Sequence, residues 1–138
     1  MIAFDTNVLT GILLGDETFL AKASAIPAHE QSVPVIVIEE IIRGRLTIIR
    51  QAEAGKAKVT LERAYQLFQD TFTDARRLQI LAYNSTADSI YQRWRQQRLR
   101  VSTHDLRIAA ICVAYDAKLI TRNRRDFALI PDLLVEFW

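Results

Sequence analysis

A second cysteine is missing from this chain of 138 residues, so no disulfide closes within it and no cysteine-rich metal site is available. Cys112 stands alone in an apolar stretch with helical spacing, the setting of a packing residue rather than a reactive thiol. Glycine is scarce as well. The four glycines, at positions 11, 15, 44 and 55, are too scattered to build a phosphate-cradling loop. With only three prolines besides, no long disordered or low-complexity segment is expected. No apolar run approaches the roughly 20 residues that cross a bilayer, and no secretory signal pattern opens the chain. The chain is expected in the cytoplasm, without a membrane partner. His29 reads as a loop residue and His104 as part of a helix cap, and neither sits in a Ser-His-Asp or Cys-His pattern. The net charge of +2 is too small to signal nucleic-acid binding by itself.

What is present is enough for one ordinary core. Half the residues are apolar, and residues 1–138 read as a single domain. Short apolar runs predict strands at Met1–Phe4, Val33–Val37, Leu78–Ala82, Leu119–Thr121 and Leu133–Phe137. Helical spacing predicts helices at Val8–Leu14, Glu17–Ala28, from Ile38 onward, and over about Val59–Phe72. Two more follow at Ala87–Gln97, behind Asn84, and at His104–Tyr115, with Thr103 as the candidate cap. Strands alternating with helices imply an α/β domain with a mainly parallel sheet. The stretch from about 45 to 75 is the most helical and is expected to stand off the sheet as a hairpin arm.

Acidic residues fall at the ends of these apolar runs. Asp5 closes the first strand, Glu40 follows the run that ends at Ile38, and Asp105 heads the helix carrying Ile108, Ala109, Cys112 and Val113. Asn123 and Asp126 come just after Thr121. In an open α/β sheet, ligands bind beyond the carboxyl ends of the strands. Carboxylates gathered there repel one another unless a cation sits among them, and an all-oxygen set suits Mg²⁺ or Mn²⁺. Each residue also has a plainer reading. Asp5, Glu39, Glu40 and Asp105 would serve as helix N-terminal charges, and Asp126 as a turn residue.

Four segments together resemble one family. Met1-Ile2-Ala3-Phe4-Asp5-Thr6-Asn7 resembles the opening of a PIN domain, the ribonuclease fold of VapC-type toxins. Glu40 followed four residues later by Gly44 resembles that family's second motif. Asp105 leading Ile108-Ala109-Ala110 resembles its third, and Leu119-Ile120-Thr121-Arg122-Asn123-Arg124-Arg125-Asp126-Phe127 its fourth. Order and separation match from end to end. The chain departs from the pattern at Asn123, where the family often carries an acid.

The resemblance implies a PIN-like three-layer α/β/α fold and a metal-dependent endoribonuclease. Asp5, Glu40 and Asp105 would bind Mg²⁺ (or Mn²⁺), with Asn123 and Asp126 completing the catalytic set. Thr6 and Thr121 would hold the carboxylates through their hydroxyls. The implied products carry 5′-phosphate and 3′-hydroxyl ends. Implied partners are an RNA substrate, a cognate VapB-type antitoxin and a second copy of the chain in a homodimer, with residues 41–72 the expected contact region. Arg122, Arg124 and Arg125 adjoin the site and are candidates for gripping the substrate. Arg93, Arg95, Arg98 and Arg100, interleaved with Tyr91 and Trp94, either guide a phosphate backbone or form a solvated helix face. Asn123 keeps an alternative open: a catalytically inactive PIN-like module that binds RNA or protein. A receiver-like phosphoacceptor fits less well, because no acidic pair adjoins Asp5 and Lys118 precedes its strand.

Overall fold

The apolar opening of the chain lies at the centre of a sheet. The computed structural model describes every residue from Met1 to Trp138. Its first half forms β1 (Ile2–Phe4), α1 (Thr6–Leu13), α2 (Glu17–Ser24), a 3-10 turn at Ala28–Glu30, β2 (Gln31–Pro34), α3 (Val35–Glu53) and α4 (Leu61–Ala75). The second half forms β3 (Gln79–Leu81), α5 (Ser85–Gln96), α6 (Thr103–Ala114), β4 (Lys118–Thr121), α7 (Arg124–Phe127) and β5 (Val135–Phe137).

The five strands are all parallel, in the order β3-β2-β1-β4-β5. Helices pack on both faces, giving the α/β/α layering expected for a buried parallel sheet. Strand order reverses direction at β1. The chain first builds outward through β2 and β3, then returns to add β4 on the other side. That reversal opens a crevice at the carboxyl ends of β1 and β4. Phe4 pairs with Ile120 there, so Asp5 and Thr121 are next-door neighbours.

The second strand differs from expectation. The run Val33–Val37 looks like one β-branched strand, but pairing stops at Pro34 and α3 begins at Val35. Pro34 (φ −62°) has a fixed dihedral that suits a helix entry, and it cannot extend a ladder as a donor. Ile36, Val37 and Ile41 then bury one face of α3, and that burial overrides their strand propensity. Glu40 consequently sits in the second turn of a helix.

Smaller shifts have equally local causes. The second helix ends at Ser24 because Pro27 lies just beyond it. Ser102, not Thr103, caps α6 by accepting the N–H of Asp105 at 3.2 Å. The last strand starts only at Val135, after Asp132 turns the chain with φ 63°. The four-residue helix α7 is too short to show a period and went unanticipated.

The hairpin arm is present. Gly55 (φ 68°) takes the left-handed position past the end of α3, where a side chain would be strained. Its N–H donates to Ala52 at 3.1 Å and that of Lys56 to Gln51 at 2.8 Å, closing the helix end. α4 then folds back along α3, burying Ala64 and Thr71. Tyr91 and Trp94 of α5 are 4% and 1% exposed. They belong to the core, so the arginine-rich segment around them has no aromatic face to offer a base.

Candidate active site

Asp5 is 5% exposed, and both of its oxygens are engaged. Oδ1 accepts the N–H of Thr6 at 2.8 Å, which caps α1. Oδ2 accepts the hydroxyl of Thr121 at 2.6 Å. Burial raises the pKa of Asp5 above the ordinary range. The bonds from Thr121 and Thr6 work against that, and the charge of Glu40 adds to it. The Thr6 hydroxyl donates to Glu40, so one threonine holds α3 to the end of β1.

Asp105 is half-buried in the first turn of α6. Its pKa is pushed up to about 6, first by burial. Ser102 pulls it back, while the charges of Asp5, Asp126 and Glu40 push it further. Four carboxylates from four stretches of chain therefore share one field at the switch point of the sheet.

Asn123 links the fourth motif to this group. Its backbone N–H donates to the Thr121 hydroxyl at 3.0 Å. Its side-chain Nδ2 lies 3.0 Å from Oδ2 of Asp126 and 3.4 Å from Oδ2 of Asp105. Its Oδ1 accepts the N–H of Asp126 at 3.3 Å and so caps α7.

The residue types fit a hard divalent cation. The donors are carboxylate oxygens, their mutual repulsion is what a cation relieves, and the threonine hydroxyls hold two of them in place. No three acidic, histidine or cysteine side chains already close on a single point. Mg²⁺ does not require that closure, because it keeps several of its own waters.

The arginines differ in how they are held. The guanidinium of Arg122 lies 5.7 Å from the Phe19 ring and that of Arg124 lies 4.2 Å from Phe137, while both stay exposed. Arg125 is exposed as well. Sequence reasoning missed one contact beside the site. His104 Nε2 stands 3.2 Å from Oε2 of Glu39, whose other oxygen is 2.6 Å from Arg43. Glu39 and His104 are each the neighbour of a site carboxylate. Nothing in the sequence joins them across 65 positions. Cys112 is fully buried, and its thiol pKa is raised by that burial, as befits a packing residue.

A three-layer parallel α/β protein with clustered carboxylates at its switch point is the class that these features define. The family model of the PIN domain matches residues 2–133, and the chain belongs to that family. It is similar to the Ribonuclease VapC of Rickettsia bellii, 26% identical over 127 residues, covering 91% of this chain and 90% of the relative. Among solved structures it resembles the VapBC2 of Rickettsia felis bound to a DNA fragment from its promoter. That match has TM-score 0.75 and 25% identity, and covers 100% of this chain and 99% of the other. FitAcB from Neisseria gonorrhoeae shares the fold at TM-score 0.80 and 19% identity, over 98% and 96% of the two chains.

Proposed function

We propose that this chain is a metal-dependent endoribonuclease, the toxin of a toxin–antitoxin pair. The observation that carries the reading is the gathering of Asp5, Glu40, Asp105 and Asp126 at the crevice beside β1, where Thr121 bonds Asp5, Thr6 bonds Glu40 and Asn123 lies against Asp105 and Asp126. A relative named Ribonuclease VapC, aligned over nearly the full length of both chains, supports it.

Asp5, Glu40 and Asp105 would hold Mg²⁺ or Mn²⁺, which supplies positive charge against the phosphoryl oxygens as they gain charge in the transition state. Thr121 and Thr6 keep the oxygens of Asp5 and Glu40 aimed, so little reorganisation is needed when substrate arrives. Glu40 orients the attacking water and takes its proton. The water oxygen bonds to phosphorus, the bond from phosphorus to the 3′ oxygen breaks, and that oxygen takes a proton. The products carry 5′-phosphate and 3′-hydroxyl ends. Arg122, Arg124 and Arg125 grip the backbone phosphates on either side of the break, two of them braced on aromatic rings.

The surface of the chain and the antitoxin complexes among similar structures support the reading of its partners. Leu61, Tyr65 and Phe72 of α4 stay exposed, and Val35, Ile38, Ile42 and Leu46 line a groove along α3. This apolar arm is the seat of a VapB-type antitoxin and of a second copy of the chain. No helix is long and apolar enough to cross a membrane. The cytoplasm, where RNA is the abundant substrate, is the working compartment.

The deciding experiment is cleavage of total cellular RNA by the purified chain with Mg²⁺, with Mn²⁺ and with EDTA, beside Asp5→Ala. Discrete fragments that need metal and vanish in the variant are expected. A folded, metal-binding chain that cuts nothing in the sample would leave a binding module as the better description.

A further inference from the structure

A cavity of about 430 Å³ opens beside Trp138, and none of the acids of the metal site lines it. Strand pairing explains why its residues meet. Ile2 pairs with Lys118 and Ile120 pairs with Glu136, and side chains two apart on a strand share a face. All four line the cavity, with Ile26 and the indole of Trp138 completing the apolar wall. Trp138 follows β5 and donates its backbone N–H to the carbonyl of Thr121 at 3.1 Å. Thr121 also holds Asp5, so the cavity begins one residue from the site. Its far end at Lys118 lies three residues back along β4, about 10 Å away. That is within reach of a nucleotide next to the one being cut.

The indole is held in place. It stacks on Phe19 with centroids 6.1 Å apart and tilts against Phe4 at 6.0 Å. Lys22 Nζ stands 5.3 Å from its centroid, and the exposed Arg122 rests on the same Phe19 ring at 5.7 Å. Two cations thus mark the way from the acids to the cavity, as a phosphate backbone requires.

The polar edge of the cavity is Glu136 and Glu30. Oε1 of Glu136 accepts the indole N–H of Trp138 at 2.9 Å, and Oε2 lies 3.3 Å from Lys118 Nζ. The bond from Trp138 first, then that from Lys118, holds this carboxyl below its ordinary range. It is therefore ionised and accepts only, with a lone pair left on each oxygen. A flat aromatic wall takes any base by its face. A carboxylate chooses by the edge. Guanine presents two adjacent N–H donors to its two oxygens, adenine and cytosine one amino group each. Uracil flanks its single N–H with carbonyl oxygens, which a carboxylate repels.

We propose that the cavity beside Trp138 is a nucleobase pocket that selects guanine beside the bond to be cut. This rests on the ribonuclease reading above. Trp138 stacks on the base, Glu136 reads its edge, and Lys22 and Arg122 hold the phosphates that lead to it. The two cations favour a nucleotide over a peptide as the occupant.

The test is tryptophan fluorescence of the full-length chain in EDTA, titrated with the 5′-monophosphates of guanosine, adenosine, cytidine and uridine. Trp94 is 1% exposed in the core, so a quench reports Trp138. Guanosine monophosphate is expected to bind at least about fivefold tighter than the uridine form. Glu136→Gln keeps the size and an oxygen for the indole N–H, and should erase that preference without lowering the melting temperature. Sequencing of RNA ends cut with Mn²⁺ should show guanine at one fixed distance from the cut in the parent and not in Glu136→Gln.

No quench by any of the four overturns the proposal and leaves a peptide side chain as the better occupant. A guanine preference that survives Glu136→Gln overturns it as well. RNA cleavage by a chain that binds no nucleotide at Trp138 sinks the pocket and leaves the ribonuclease standing. Guanosine monophosphate binding by a chain that cuts no RNA sinks the ribonuclease, and the pocket's part in choosing a substrate falls with it.

Discussion

The Thr121 hydroxyl donates to Oδ2 of Asp5 at 2.6 Å while accepting the N–H of Asn123 at 3.0 Å, so one small side chain joins the ends of β4 and β1 to the fourth motif. Thr121 is fully buried, which leaves no water to replace it. Thr121→Val keeps the shape and removes both bonds. Leaving the buried Asp5 oxygen unpaired is expected to destabilise the fold by about 1 to 3 kcal/mol. RNA cleavage should fall by about tenfold to a hundredfold. Thr121→Ser should recover both, and melting curves beside cleavage rates decide it. A Val variant with normal cleavage would show that Asp5 needs no such anchor.

The raised pKa of Asp105 makes a prediction about stability and pH. Between about pH 4 and about pH 6 the folded metal-free chain keeps a proton that the unfolded chain has released. More protons are bound by the folded state, so this group's contribution to stability falls as pH rises through that window. Asp5 acts in the same direction. Full conversion of the shift would be about 3 kcal/mol. The side chain is half open to water, so about 1 to 2 kcal/mol is expected. Asp105→Asn should therefore melt higher than the parent at pH 7 without metal, and the advantage should vanish by pH 4. Cleavage should be lost. Equal melting temperatures at pH 7 would contradict the burial and repulsion described here.

His104 and Glu39 connect the first turn of α6 to α3 beside the two carboxylates that those helices carry. The pair is partly exposed, so its contribution to stability should stay under about 1 kcal/mol. Its effect on alignment should be larger than its effect on melting. His104→Ala and Glu39→Ala are each expected to slow cleavage severalfold, and the double variant should be no slower than the worse single one. Independent, multiplying effects would mean that the contact is incidental.

Gly11 lies against Phe19 so closely that a Cβ there would overlap the ring. Phe19 cannot step aside easily, because it stacks on Trp138 with centroids 6.1 Å apart and is itself buried. Gly11→Ala should cost about 1 to 3 kcal/mol by overpacking. Since Arg122 rests on the same ring, RNA affinity should drop with it. Chemical denaturation and a filter-binding assay measure the two effects. A Gly11→Ala variant as stable as the parent would place Phe19 elsewhere in solution.

The parts of the fold that were legible in the sequence are those with a local cause. Helical spacing at Ile38, Ile41, Ile42 and Ile49 reports which face of α3 is apolar, and the alternation of strand and helix reports a parallel sheet. The beginning of α3 was misread because β-branched residues favour strands in isolation, and only packing against the core makes them helical. α7 was missed because four residues contain barely one turn and no period. The acids of the site were legible singly, by their place after apolar runs. Their company was legible only from the four motifs taken together; the hydrogen bonds that join them were not.

By itself, the sequence determined which chemistry is available: carboxylates at the ends of apolar runs, an amide at the fourth motif, one inert thiol and no glycine-rich loop. It could do so because residue type and local spacing are carried by neighbours along the chain. Only the tertiary structure decided which of these groups act together. Thr6 meets Glu40 across 34 positions, His104 meets Glu39 across 65, and Thr121 meets Asp5 across 116. Those meetings are set by the order of strands in the sheet, and strand order depends on how the whole core packs rather than on any stretch of residues within it.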